Sequence, residues 1–247
     1  MLTVAQKSFW KDNGYLPVEN VIPRELIAAE KDRFSWLCEN WNTPEGALVK
    51  PMHETNVPRD KWSPTTIRGF SDLAEHEPVF RAHALHANLL NLVEQLIGKP
   101  FSLYETQALL KPPAIGLPKP PHQDNAYFQV DPHDAVITCW CALDDATLGN
   151  GCMMYVPASH KLGLIEHRWI EGTPHQVPVG GAAAGAGKPV AVPMTAGGVI
   201  FHHSLTLHMS GANRSNGWRR PFICHFVRND ADLSRVRSST RLIPARG

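Results

Sequence analysis

The sequence predicts an α+β fold with a mainly β core, helices first and strands later. Two patterns predict it. Up to about residue 98 apolar residues recur at helical spacing, and after Pro100 the chain breaks into short β-branched or aromatic runs. Turn signals such as "KPP", "DPHD", "GNG" and "AGG" separate those runs, as in a sandwich or barrel. Such folds reach 247 residues as one domain, so a single domain is expected over 1–247, its helical part about 1–98 and its β core about 100–230.

The elements follow in order. Thr3 and Gln6 are spaced for a capping box on a helix ending near Gly14. "YLPVEN" reads as a short strand. Pro23 starts a second helix, with Leu26, Ala29, Phe34 and Leu37 as its apolar stripe. Residues 42–66, rich in Pro, Asn, Thr and charge, read as a long loop. "HANLLNLVEQLIG" is a helix stopped by Gly98. The strands expected are "FSLYETQALL", "AYFQV", "AVITCWCAL", "CMMYV", "KPVAVPM", "GGVIFH" and "RPFICHFV". "PVGGAAAGAGKP", 178–189, reads as a flexible loop or insertion.

Composition removes several functions. The 43% hydrophobic content supports a sizeable core. A net charge of +1 argues against binding nucleic acid or a membrane surface through bulk charge. No apolar stretch is long enough to span a bilayer, and the first residues lack the pattern of a signal peptide. Cys38, Cys139, Cys141, Cys152 and Cys224 form no Cys-x-x-Cys and read as thiols in a reducing cytoplasm.

The chemistry-bearing stretch is "KPPHQDNAYF". If His122-Gln123-Asp124 opens a strand, His122 and Asp124 project from one face and reach one metal ion. A third ligand must come from another strand, and "GGVIFHHSLTLHMSGANRSNGWRRPFICHFV" offers His202, His203 or His208. Two histidines and a carboxylate suit non-haem iron(II), and zinc accepts the same atoms.

The ordered blocks "HQDNAYF", "VITCWCALDDATLGNGCMMYVPASHKLG" and "HMSGANRSNGWRR" give the chain its resemblance to the phytanoyl-CoA dioxygenase family of Fe(II)- and 2-oxoglutarate-dependent oxygenases, over about residues 66–228. The resemblance implies a double-stranded β-helix, a cupin-like jelly roll, with N-terminal helices packed on one sheet. It implies iron(II) on His122, Asp124 and His208, which leaves His202 and His203 behind the ligands or in the core. It places the far carboxylate of 2-oxoglutarate on Arg219, eleven residues after His208, with the Ser210 hydroxyl. A guanidinium suits that role because its fork matches a carboxylate. Arg68, Gln107 and Trp140 match positions around the co-substrate, and Thr138 shares the face of Trp140. Trp140 read alone is equally a core aromatic.

The implied reaction consumes O2 and 2-oxoglutarate and releases succinate, with ascorbate as an in vitro adjunct. Halogenases of this type carry a small residue where Asp124 stands, so hydroxylation or a related oxidation of a small organic molecule is expected. Desaturation, epoxidation and ring formation share the same triad. A non-catalytic binding module is the reading from another class, and the intact set His122, Asp124, His208 and Arg219 speaks against it. Arg220 falls on the opposite strand face and Asp144-Asp145 reads as a turn or cap. Ser159-His160 lacks a Gly-x-Ser-x-Gly elbow. Lys111 and Tyr127 lie close to the triad, and loops 42–66 and 161–189 are expected to meet the substrate.

Overall fold

The computed structural model describes residues 1–55, 57–179, 185–235 and 242–247; part of the 178–189 stretch lies outside them. Helix α1 (Val4–Asn13) starts at the expected capping box, where Thr3 accepts from the Gln6 amide and the Gln6 side chain accepts from the Thr3 amide. It ends at Gly14, whose backbone is left-handed (φ 76°). A Cβ there would lie 2.4 Å from His160 Nδ1 and 2.6 Å from Thr206 Oγ1, so the position demands glycine. Strand β1 (Tyr15–Val18) and helix α2 (Arg24–Glu39) follow. The buried face of α2 is Ile27, Glu30, Phe34 and Leu37, and Ala29 is exposed. The expected stripe is displaced because the buried face contains a carboxylate, Glu30.

Within the expected long loop 42–66, the described residues carry β2 (Met52–His53) and three short 3-10 turns. Trp41, His53 and Trp62 hold the segment, with the His53 and Trp62 rings stacked at 4.2 Å. Next come β3 (Ile67–Ser71), α3 (Leu73–His76), α4 (Pro78–Ala84) and α5 (Ala87–Ile97). The remaining strands are β4 (Phe101–Leu109), β5 (Lys119–His122), β6 (Val136–Ala142), β7 (Met153–Tyr155), β8 (His167–Trp169), β9 (Gln176–Pro178), β10 (Val190–Val192), β11 (Val199–His203), β12 (His208–Ser210), β13 (Pro221–Arg228) and β14 (Ile243–Arg246).

One sheet runs β1-β11-β6-β13-β4-β3-β2, with β14 also pairing β4; a second runs β10-β7-β12-β5; β8 and β9 form a ribbon. The two larger sheets make the expected jelly roll. Strands β1, β2, β3 and β14 join the larger sheet, which therefore extends beyond the 100–230 span.

Alternation decides which face does what. Cys139, Cys141, Phe222, Cys224 and Phe226 enter the core with Phe34, Phe80, Leu89 and Val93, so the helices cover that face. Burying each such large side chain contributes about 1.5–3 kcal/mol. Thr138, Trp140, Ile223 and His225 project from the other face into a cavity.

Two local expectations fail. The "KPP" at 119–121 is itself strand β5, not a turn. "NAYF" forms the helical turn α6 (Asn125–Phe128), where a strand was expected. The Asn125 side chain accepts from the Val130 amide and donates to the Val130 carbonyl, closing a local loop that overrides the β propensity of Tyr127 and Phe128.

Beneath the helices Glu30 and His83, both fully buried, form an ion pair in which His83 Nδ1 lies 2.8 and 2.9 Å from the two carboxylate oxygens. Burial alone lowers the His83 pKa, but Glu30 outweighs it and raises the imidazole to about 10. Removing one partner strands a buried charge, so His83→Leu should cost about 3–5 kcal/mol, and adding Glu30→Leu should recover part of it. Burial raises the Glu30 pKa, so the pair is lost in acid when that carboxylate is protonated. Above that range its stabilisation is full up to about pH 6.5 and is lost as the pH climbs toward 10. Urea unfolding at pH 7 and pH 10 should show this loss in the native sequence and not in the double variant.

Candidate metal centre

Strands β5 and β12 pair in a register that sets His122 opposite His208, with ring centroids 4.1 Å apart. Asp124 arrives differently from the expected strand geometry. It stands in helical conformation (φ −59°, ψ −37°) at the entry to α6, and the chain's turn there points its carboxylate back at the two rings. Asp124 Oδ1 lies 3.7 Å from His122 Nε2 and 3.5 Å from His208 Nε2, and the three donor atoms all fall within 4.8 Å of one another.

Each ring is oriented through its other nitrogen. His122 Nδ1 donates to the Pro120 carbonyl at 2.9 Å and His208 Nδ1 to the Thr206 carbonyl at 3.0 Å. With the proton on Nδ1, both Nε2 lone pairs face the shared point. Burial is the main cause that keeps the rings neutral: it takes His208 down to about 4 against the pull of Asp124, and His122 well below its ordinary value with His208 adding to the effect. Burial alone would raise Asp124, but His208 and the His202 N–H outweigh it and hold the carboxyl well below the usual range.

The second carboxylate oxygen fixes the direction of a longer network. Asp124 Oδ2 can only accept, so Thr138 donates to it at 2.6 Å and His202 Nε2 at 3.0 Å. Tyr155 must then donate to His202 Nδ1 (3.1 Å). On the other branch His225 Nδ1 donates to Thr138 Oγ1 (2.9 Å), and Gln107 Nε2 donates to His225 Nε2 (3.0 Å). The "VPASH" block supports the opposite side: Ser159 Oγ accepts from the Leu207 amide, next to His208.

The open side of the triad faces a cavity of about 680 Å³. All nine residues expected at the site line it: His122, Asp124, His208, Arg219, Ser210, Gln107, Trp140, Arg68 and Thr138. Arg219 is 2% exposed, its Nε has no partner, and it makes no ion pair among the described residues. Its guanidinium lies 5.4 Å from the Trp140 ring centre. Burial lowers it to about 9, the direction expected of a cation awaiting a counter-charge. Arg68 donates to the His53 carbonyl at 3.0 Å. Lys111 and Tyr127 also line the cavity, as do Met52, Glu54 and Thr55 from one long loop and Thr173, Pro174 and His175 from the other.

Residues assigned elsewhere stay elsewhere. Arg220 pairs with Asp144 through two bonds of 2.8 and 2.9 Å, and Asp145 caps the Ala196 amide. His203 packs against Trp10 and His160. Sequence reasoning missed His225, Glu105 and Lys119. Strand parity would have found His225, which shares its face of β13 with Ile223, and Glu105, which shares its face of β4 with Gln107. Lys119 was hidden by a bulge that puts Ser210 opposite it, three residues from His122 on one strand and two from His208 on the other.

The phytanoyl-CoA dioxygenase family model matches residues 10–221. The chain belongs to the phytanoyl-CoA dioxygenase family. A probable phytanoyl-CoA dioxygenase of Caenorhabditis elegans is 30% identical over 246 residues, 93% of this chain and 77% of that protein. The peroxisomal phytanoyl-CoA dioxygenase of Homo sapiens is 29% identical over 250 residues, 98% of this chain and 73% of that protein. Among solved structures, the carbocyclase SnoK from nogalamycin biosynthesis superposes with a TM-score of 0.76 at 24% identity, covering 99% of this chain and 92% of that one. EctD from S. alaskensis gives 0.76 at 19%, covering 99% and 84%. Both share the jelly-roll fold.

This member of the family is a non-haem iron dioxygenase that uses 2-oxoglutarate and O2. Its residues fit those groups: two neutral imidazoles and a carboxylate converge on one point beside a cavity, and a buried unpaired guanidinium lines the same cavity. No described helix is long and apolar enough to cross a membrane.

Because Thr138 orients Asp124 and accepts from His225, Thr138→Val should weaken Fe(II) or Co(II) binding by about 10–100-fold. Anaerobic metal titration measures this; unchanged affinity would show that Asp124 does not depend on Thr138.

Proposed function

We propose that the chain oxidises a C–H bond of a small organic metabolite, by hydroxylation in the first instance, with iron(II) held by His122, Asp124 and His208. Arg219 and Ser210 hold the far carboxylate of 2-oxoglutarate. The observation that carries this is the buried, unpaired Arg219 in the cavity onto which the triad opens. When bound, iron(II) and 2-oxoglutarate convert O2 into an oxidant of the substrate, with release of succinate and carbon dioxide.

The chain's own residues do the positioning. Thr138 and His202 occupy Asp124 Oδ2, which leaves Oδ1 for the metal. Trp140 lies against the Arg219 guanidinium, and Ile223 lines the same cavity. Gln107 holds His225, and Arg68 stands ready for a second anionic group of the co-substrate. Residues 52–55 and 173–175 form the wall that meets the substrate. Desaturation, epoxidation and ring closure draw on the same geometry. Asp124 occupies the place a halide would need, which argues against halogenation. Five free thiols fit a reducing cytoplasm, and a net charge of +1 fits a small-molecule partner instead of nucleic acid.

Anaerobic protein with Fe(II) and 2-oxoglutarate should show a weak visible charge-transfer band, and its absence in metal-loaded protein would overturn the proposal. Arg219→Ala should raise the KM for 2-oxoglutarate by at least about tenfold with iron content unchanged, since it removes a charge-assisted bond and not a metal ligand. Equal loss of both would make Arg219 a structural residue.

A further inference from the structure

The cavity has two electrostatic ends. At one stand Arg219, Lys111, Lys119 and Arg68, with Glu54 as the carboxylate among them: Lys111 falls to about 6, through burial first and Arg219 next, and Lys119 to about 8, through burial first and Arg68 next. At the other stands Glu105, on the cavity face of β4 and directly opposite His225 in the β4–β13 ladder. Glu105 is half-buried and makes no hydrogen bond or ion pair among the described residues. Of the charges within its reach, Asp72 and Asp124 are negative, and Lys50 is already paired with Asp72. Burial first, then those two carboxylates, push Glu105 up to about 7. The wall beside it is aromatic: Tyr104 and Phe128 line the cavity with ring centroids 5.4 Å apart.

A dianionic co-substrate satisfies the cationic end. It does nothing for Glu105, which keeps a carboxyl group with no counter-charge in a cavity that Tyr104 and Phe128 also line. That combination suits a protonated nitrogen, which gains from the charge and from the ring quadrupoles together. We propose that Glu105 selects the substrate, which is a small molecule carrying an ammonium group and not an acyl-coenzyme A thioester. This rests on the oxygenase reading above, because that reading assigns the cationic end to 2-oxoglutarate.

The test uses three probes with one carbon skeleton: benzylammonium, benzyl alcohol and benzoate. Each is titrated calorimetrically into anaerobic protein loaded with Fe(II) and saturating 2-oxoglutarate. Benzylammonium should bind at least about tenfold tighter than either analogue, and Glu105→Gln should abolish that preference while leaving 2-oxoglutarate affinity and the visible band intact. Glu105→Ala should repeat the result if the glutamine variant folds poorly. No binding of benzylammonium, equal or tighter binding of the alcohol or benzoate, or a preference that survives both substitutions would each overturn the proposal. A native sample without the visible band would instead sink the oxygenase reading.

Discussion

The carboxylate of Asp124 ties the molecule together. Its Oδ2 is held by Thr138 of β6 and His202 of β11, in the larger sheet, while its Oδ1 faces His122 of β5 and His208 of β12, in the smaller one. One buried side chain thus joins both layers of the jelly roll. A buried carboxylate with no partners would cost several kcal/mol. Here the partners come from four strands, so the fold must close before the group is satisfied. Further bonds lead from it to His225, Gln107 and Tyr155, which makes two branches of donors running toward one acceptor.

The opposite policy holds at Arg219. Arg220, its neighbour, has a carboxylate in bidentate contact, whereas Arg219 is more deeply buried and has none among the described residues. Adjacent arginines on opposite strand faces therefore play contrary parts, one spent on stability and one kept open at a cost in stability. Such a cost persists in a fold when something outside the polypeptide relieves it.

Much of this was legible in the sequence, and for identifiable reasons. Period-two alternation on "ITCWCAL" separated Thr138 and Trp140 from Cys139 and Cys141 correctly, because β6 lies between β11 and β13 and pairs with both without a register shift. The ordered blocks pointed by resemblance to His122, Asp124, His208 and Arg219, which the fold brings to one cavity. What misled was local. "NAYF" has strand-like side chains, yet the Asn125 amide bonds to Val130 and bends the segment into a helical turn. In α2 the buried face was misjudged by one position because Glu30 looked like a surface residue until His83, 53 positions away, supplied its partner. Long-range pairing of that kind has no signature in a single sequence. The same holds for Glu105, whose isolation is visible only once its neighbours in space are known.

His122 and His208, the two proposed ligands, each donate Nδ1–H to the backbone carbonyl two residues before them, Pro120 and Thr206 respectively. The acceptor belongs to the main chain, so the choice of tautomer rests on the backbone path and not on a neighbouring side chain. Substitutions at positions 120 and 206 leave that acceptor in place. The walls of the cavity are thus at liberty to drift toward new substrates while the metal-facing nitrogen atoms keep their lone pairs, an inheritance carried by backbone shape alone.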